Sequence, residues 1–238
     1  MRKLLLIVCF LMAYGSFAFG QYSFGVAAGV NYGGPIGNIE GEGKPIPGFI
    51  GGPTIKRWFG EKWRLSASIL YSFRGAEYSQ TSTNDSTVYV TINQQQVPVT
   101  TNYTSNIKGT LKLHYIDVPI VVSRLIGKHS SIDFGPQLSY IVAGSDKGNN
   151  DIVFVENGVF NQKVAYNNFK ELNRMDYGLT LGGTYYTNIG LSVSVRASRG
   201  IRSLYRKGFF SSRGLPETGL YNTFVHLTAA YNFGSYAH

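Results

Sequence analysis

WRLSASILYSFR, residues 63–74, decides the fold. Trp63, Leu65, Ala67, Ile69, Tyr71 and Phe73 share one parity; Arg64, Ser66, Ser68, Leu70, Ser72 and Arg74 share the other. Successive side chains of a strand point to opposite faces of its sheet, so one face here is apolar and the other small, polar and charged. The pattern recurs along the chain. Tyr22, Phe24, Val26, Ala28 and Val30 oppose Ser23, Gly25, Ala27, Gly29 and Asn31. Ile132, Phe134, Pro136, Leu138 and Tyr140 oppose Asp133, Gly135, Gln137 and Ser139. Further examples begin at Met175 and Leu191, and the last sets Val225, Leu227, Ala229, Tyr231 and Phe233 against His226, Thr228, Ala230 and Asn232. Residues 48–58, glycine-rich with Pro53, and 111–124 complete a set of eight strands. In 111–124 the apolar phase changes near Tyr115–Ile116, where a β-bulge would keep Asp117 off the apolar side.

Connections alternate in length. Residues 58–63, 125–130 and 187–189 read as tight turns, whereas 32–47, 75–110, 144–174 and 200–220 are long. That alternation predicts an all-β, eight-stranded antiparallel transmembrane barrel with short periplasmic turns and long extracellular loops. Val88–Ile92 with Val97–Val99, and 152–155 with 159–160 around Glu156-Asn157-Gly158, are strand-like. There the barrel wall is expected to continue above the membrane, Asn-Gly being a hairpin signal.

A lipocalin also alternates, but its apolar side faces an internal cavity. Here the polar parity carries Arg64, Arg74, Asp117, Asp133, Asp176, Arg196 and His226 among Gly and Ser. An eight-stranded barrel has an interior just wide enough for its side chains. Small residues with paired charges fit that space, and three acids against three arginines permit near-complete pairing; unpaired burial would cost several kcal/mol per ion. The outward set is Leu, Val, Ile, Ala and aromatic. Trp58, Trp63, Tyr185, Tyr231 and Phe233 near one end, and Tyr71, Phe73 and Tyr177 near the other, give the two aromatic girdles of an outer-membrane barrel.

The remaining composition agrees. Arg2 and Lys3, the apolar stretch 4–12, and Ala18 and Gly20 read as a secretory signal peptide, residues 1–20, followed by one barrel domain, 21–238. Removing that segment takes the formal charge from +9 to +7, because its two basic residues meet no acid. Cys9, the only cysteine, leaves with the signal, so disulfides, thiolate metal sites and thiol catalysis are not expected. No apolar run after residue 20 is long enough for a helical span.

Several blocks resemble the porin-like outer-membrane β-barrel family common in Bacteroidetes, which includes PorT-type proteins. They are Phe24-Gly25-Val26 with Ala28-Gly29-Val30-Asn31, Leu70-Tyr71-Ser72 with Gly75, Tyr115-Ile116-Asp117-Val118-Pro119-Ile120, Gly135-Pro136-Gln137, Tyr177-Gly178-Leu179 with Leu181-Gly182-Gly183, and Ala230-Tyr231-Asn232-Phe233. The resemblance implies an eight-stranded barrel in the outer membrane and no single activity. PorT-type members take part in type IX protein secretion.

No phosphate-binding glycine loop, zinc spacing or nucleophile elbow is present, and no cofactor is expected. Some barrels of this size modify lipid A with a serine–histidine pair at the rim, for which His226 is the candidate; the plainer role for His226 is a hydrogen-bonded lumen side chain. The lumen charges form either a structural ion-pair network or a narrow ion path, and their number favours the network. Arg199, Arg202, Arg206, Lys207 and Arg213 lie in or beside the last long loop. They form an ordinary solvated loop or grip lipopolysaccharide phosphates, which suit arginine forks. The expected protein is a non-enzymatic barrel, plugged by its own side chains, presenting outer loops for binding or envelope organisation. The alternatives are a PorT-like export component, a small pore and a lipid-modifying enzyme. Expected partners are outer-membrane lipid, lipopolysaccharide and envelope or secretion proteins, with no nucleic acid despite the pI of about 9.5.

Overall fold

The alternating segments become wall strands because each apolar parity can face lipid while the polar parity fills a narrow interior. The computed structural model describes residues 22–36, 42–92, 95–154, 160–209 and 219–233. The expected signal segment, the tip around Glu156-Asn157-Gly158 and Arg213 lie outside the described residues.

Among the described residues eleven strands run in chain order: β1 (Tyr22–Ile36), β2 (Glu42–Ile46), β3 (Gly48–Phe59), β4 (Trp63–Ser68), β5 (Leu70–Ile92), β6 (Gln95–Ile126), β7 (Ser130–Phe154), β8 (Phe160–Asn167), β9 (Met175–Tyr186), β10 (Leu191–Gly200) and β11 (Tyr221–Phe233). β4 and β5 are one wall strand, broken in the ladder only at Ile69. With that join, β1, β3, β4–β5, β6, β7, β9, β10 and β11 form a closed antiparallel ring of eight. β1 closes it on β11, from Phe24 opposite Phe233 to Ile36 opposite Tyr221. Closure pairs the backbone groups that an open edge would leave bare in lipid. Three short turns and both ends of the ring lie on one side. Each turn holds a glycine in the left-handed region, Gly60, Gly127 and Gly190 at φ +62°, +69° and +85°, as tight reversals require.

On the other side the wall runs on. β5 pairs with β6 out to Ile92 opposite Gln95, and β7 with β8 out to Phe154 opposite Phe160, as the strand-like loop segments predict. β2, not foreseen in the first long loop, pairs with β5 from Glu42 opposite Ser79. The result above the ring is a sheet of order β2-β5-β6-β7-β8.

The sign of the alternation is as expected. Phe24, Val26, Ile132, Phe134, Leu181, Val195 and Leu227 are about half exposed on the outside, and Arg64, Ser72, Asp117, Asp133 and Ser192 are buried inside. Two details differ. The register shift does fall between His114 and Tyr115, but the extra residue is Val142 on β7. In β6 Leu111, Leu113, Tyr115, Asp117, Val121 and Ser123 are all buried, so its alternation never breaks. What changes along β6 is the interior, apolar at the outer mouth and polar below. Trp58 is the second difference. It stands opposite Arg64, on the lumen parity, with the guanidinium carbon 5.3 Å from its ring, and does not belong to the girdle.

Candidate functional site

The lumen is layered. Nearest the short turns, Arg64 lies over the Tyr186 ring at 4.2 Å and donates from Nη2 to Ser123 Oγ at 3.2 Å. Lys56 Nζ donates to Ser192 Oγ at 3.4 Å in the same region. In the middle, Arg196 pairs with Asp133 at 2.8 Å, and Thr184 Oγ1 and Ser131 Oγ donate to the same carboxylate at 2.5 and 2.8 Å. Above it Arg74 pairs with Asp117, which also accepts from Ser72 Oγ at 2.6 Å and Ser139 Oγ at 2.5 Å. The Arg74 guanidinium carbon lies 3.6 Å from the Phe224 ring centroid and 4.4 Å from that of Tyr115. Asn222 Nδ2 donates both to the Tyr115 hydroxyl, at 3.0 Å, and to Asp176 Oδ2, at 2.9 Å.

Near-complete pairing of three acids with three arginines is not what these positions allow. Among the described residues the ion pairs are Arg74–Asp117 and Arg196–Asp133. Arg64 rests on rings and a serine, and Asp176 takes an amide hydrogen, because the two stand at opposite ends of the barrel. Lys56 is a lumen cation that the glycine-rich strand concealed; its parity with Ile50 and Thr54 on β3 is the signal that finds it. His226 is 3% exposed, opposite Asn31 and Arg196 in the lumen, and its Nδ1 has no hydrogen-bond partner. That places it away from a lipid-facing rim.

The outer mouth carries what the sequence did not suggest. Leu172, Leu204, Tyr205, Phe209 and Leu220, all from connections, pack on Leu111, Leu113, Tyr115 and Ile141 of the wall. Backbone bonds knit these connections together: Leu204 N–H to Leu220 O at 2.6 Å, Arg206 N–H to Glu171 O at 3.0 Å and Asn173 N–H to Leu204 O at 2.8 Å. Above them Asp146, fully buried, accepts the hydroxyls of Tyr78 at 2.6 Å and Tyr205 at 2.8 Å, and Tyr166 donates to Tyr78 at 2.9 Å. A side chain at Gly109 or Gly148 would collide with the Tyr78 and Tyr166 rings, so glycine is required beneath them. Burial, followed by the hydrogen bond to Asp146, pushes the Tyr78 phenol well above its ordinary range, and burial raises Tyr166.

Arg199, Arg202, Arg206 and Lys207 are exposed around the outer rim. Arg202 is engaged, donating to Met175 O at 3.3 Å and Asn173 Oδ1 at 3.1 Å. Among the described residues no group of three or more His, Cys, Asp or Glu could hold a metal ion.

A closed eight-stranded ring, apolar outside and charged within, with rings at both borders, defines an integral outer-membrane β-barrel protein. A family model for the outer membrane protein beta-barrel domain matches residues 14–206, and the chain belongs to that family. No curated protein matches it. Solved structures similar to it include Ail, the attachment invasion locus protein of Yersinia pestis, in complex with the heparin analogue sucrose octasulfate, at 12% identity and TM-score 0.39, over 90% of this chain and 99% of Ail. Neisserial surface protein A is similar at 10% identity and TM-score 0.41, over 88% of this chain and 97% of that one. The outer membrane protease OmpT from Escherichia coli follows at 9% identity and TM-score 0.33, over 90% and 95%.

Proposed function

We propose that this chain is a sealed, non-enzymatic outer-membrane barrel whose work is done by the sheet it raises above the membrane, as a platform for binding or for organising the envelope. The observation that carries this reading is the apolar layer at the mouth, where Leu172, Leu204, Tyr205, Phe209 and Leu220 sit on the wall above the lumen charges. Side chains then occupy the space that an aqueous path would need, and an eight-stranded barrel has none to spare. Planar-bilayer recordings of the purified protein are expected to stay silent; steady unit conductance would overturn the sealed barrel. Removing residues 80–107 and 149–164 is expected to leave a folded, heat-resistant barrel that reproduces the envelope phenotype of the deletion strain. Full function in that trimmed barrel would move the work away from the sheet.

The residue blocks that resemble the porin-like family common in Bacteroidetes support a second reading, a PorT-like component of type IX secretion. It predicts that proteins bearing secretion-type C-terminal domains vanish from the medium of a deletion strain and accumulate inside. An unchanged extracellular proteome would remove it.

A further inference from the structure

Outside the lumen, β3, β5 and β6 carry a group of rings at the outer border of the apolar band. The Phe49 ring lies 5.8 Å from that of Tyr71 and 6.0 Å from that of Phe73. His114 lies 5.9 Å from Tyr71 and 5.1 Å from Phe73, and its Nδ1 is 2.6 Å from the Tyr71 hydroxyl. Register fixes what comes next. Lys112 faces Gly75 and Ser145 in the row immediately above. In the following row Lys44, Glu77, Thr110 and Lys147 stand side by side across β2, β5, β6 and β7. Their parity is opposite to that of Leu111 and Asp146, so they lie on the outer face.

Lys44, Lys112 and Lys147 are exposed, and the ion pairs among the described residues are confined to the lumen. In these two rows three lysines therefore stand against Glu77 alone. Lys108 continues the basic face one row higher, where Glu42 stands opposite Ser79.

We propose that this face docks the phosphate-bearing headgroup of an outer-leaflet lipid, with Lys44, Lys112 and Lys147 as the phosphate contacts and the Phe49–Tyr71–Phe73–His114 rings below them at the membrane border. Aromatic rings settle at the level of headgroups, and lysines just beyond them reach to the charged surface on long apolar stems. The rows begin where the lipid-facing wall ends, so an occupant that touches both is itself part of the membrane. Lysine ammonium groups act as point charges that accept phosphates in many orientations. The inference goes beyond the sealed-barrel reading and does not depend on it, since a conducting barrel would carry the same face.

Native mass spectrometry of the full chain in detergent tests this, with phosphorylated lipid A, dephosphorylated lipid A and inorganic phosphate as probes. The parent is expected to prefer phosphorylated lipid A. Lys44→Gln/Lys112→Gln/Lys147→Gln, with folding checked by heat-modifiable migration, is expected to weaken that binding by about a hundredfold. Arg199→Gln/Arg202→Gln/Arg206→Gln is expected to lose much less. Equal affinity in the parent and the lysine variant overturns the proposal, as does equal binding of the two lipid A forms. Equal loss from the arginine variant removes the localised site. Tight retention of inorganic phosphate without lipid preference assigns the face to a soluble anion and overturns the lipid.

Discussion

Asp146 of β7 accepts the Tyr205 hydroxyl at 2.8 Å, tying the barrel wall to the connection that closes its outer mouth. The same carboxylate holds Tyr78 of β5 through its other oxygen. Asp146→Ala removes the carboxylate that accepts both the Tyr78 and the Tyr205 hydroxyls, and a buried donor that loses its acceptor costs about 1–3 kcal/mol. The expected result is a barrel that still inserts but whose residues 201–209 become accessible to protease; unchanged protection would show that the apolar contacts hold the closure alone.

Alkaline pH acts at the same point. With the Tyr78 phenol raised by burial and by Asp146, the folded state keeps a proton that the unfolded chain releases above its ordinary value of 10.0. Its contribution to stability is therefore complete below about pH 10 and is lost as pH rises beyond that. Phenolate absorbance and proteolysis of the outer sheet, followed from pH 8 to 12, are expected to change together in the parent. Tyr78→Phe is expected to weaken that dependence, leaving the part carried by Tyr166, and to loosen the cluster at neutral pH.

Arg74 and Asp117 predict an asymmetry between single and double replacement. Arg74→Met leaves a buried carboxylate with only serine partners and is expected to cost about 3–5 kcal/mol. Arg74→Met with Asp117→Leu removes both charges and is expected to cost less than the single change. Urea unfolding of the four proteins in a double-mutant cycle measures this; a double variant less stable than Arg74→Met would mean the hydroxyl bonds of Ser72 and Ser139 matter more than the pair.

Gly148→Val puts a side chain where the Tyr166 ring lies. Overpacking of this kind costs about 1–3 kcal/mol. Faster amide hydrogen exchange is expected in β8, residues 160–167, with the ring below unaffected. Exchange unchanged in β8 would show that Tyr166 can move aside freely.

The wall was legible in the sequence because lipid imposes one rule on every outward position, and Trp63 to Phe73 obeys it without exception. The turns were legible from the short gaps between strands, and the sheet above the membrane from Val88–Ile92 and its counterpart Val97–Val99. The closure of the mouth was not. Leu172, Leu204 and Leu220 sit singly in polar connections, where no period announces burial, and they acquire a core only when two separate connections meet over the wall. Lumen partners were equally hidden: parity tells that Arg64 and Asp176 point inward but not at which height, and height decides which charges meet.

β6 gives the molecule a reach that its small ring does not suggest. From Leu113 to its start at Gln95 the strand continues for roughly 60 Å along its path, about 3.3 Å per residue, beyond the last ring at the membrane border. A probe approaching the cell would thus meet the far end of this projection well before it met the barrel, and an antibody or a neighbouring cell could touch this protein while every residue of its wall stayed out of sight.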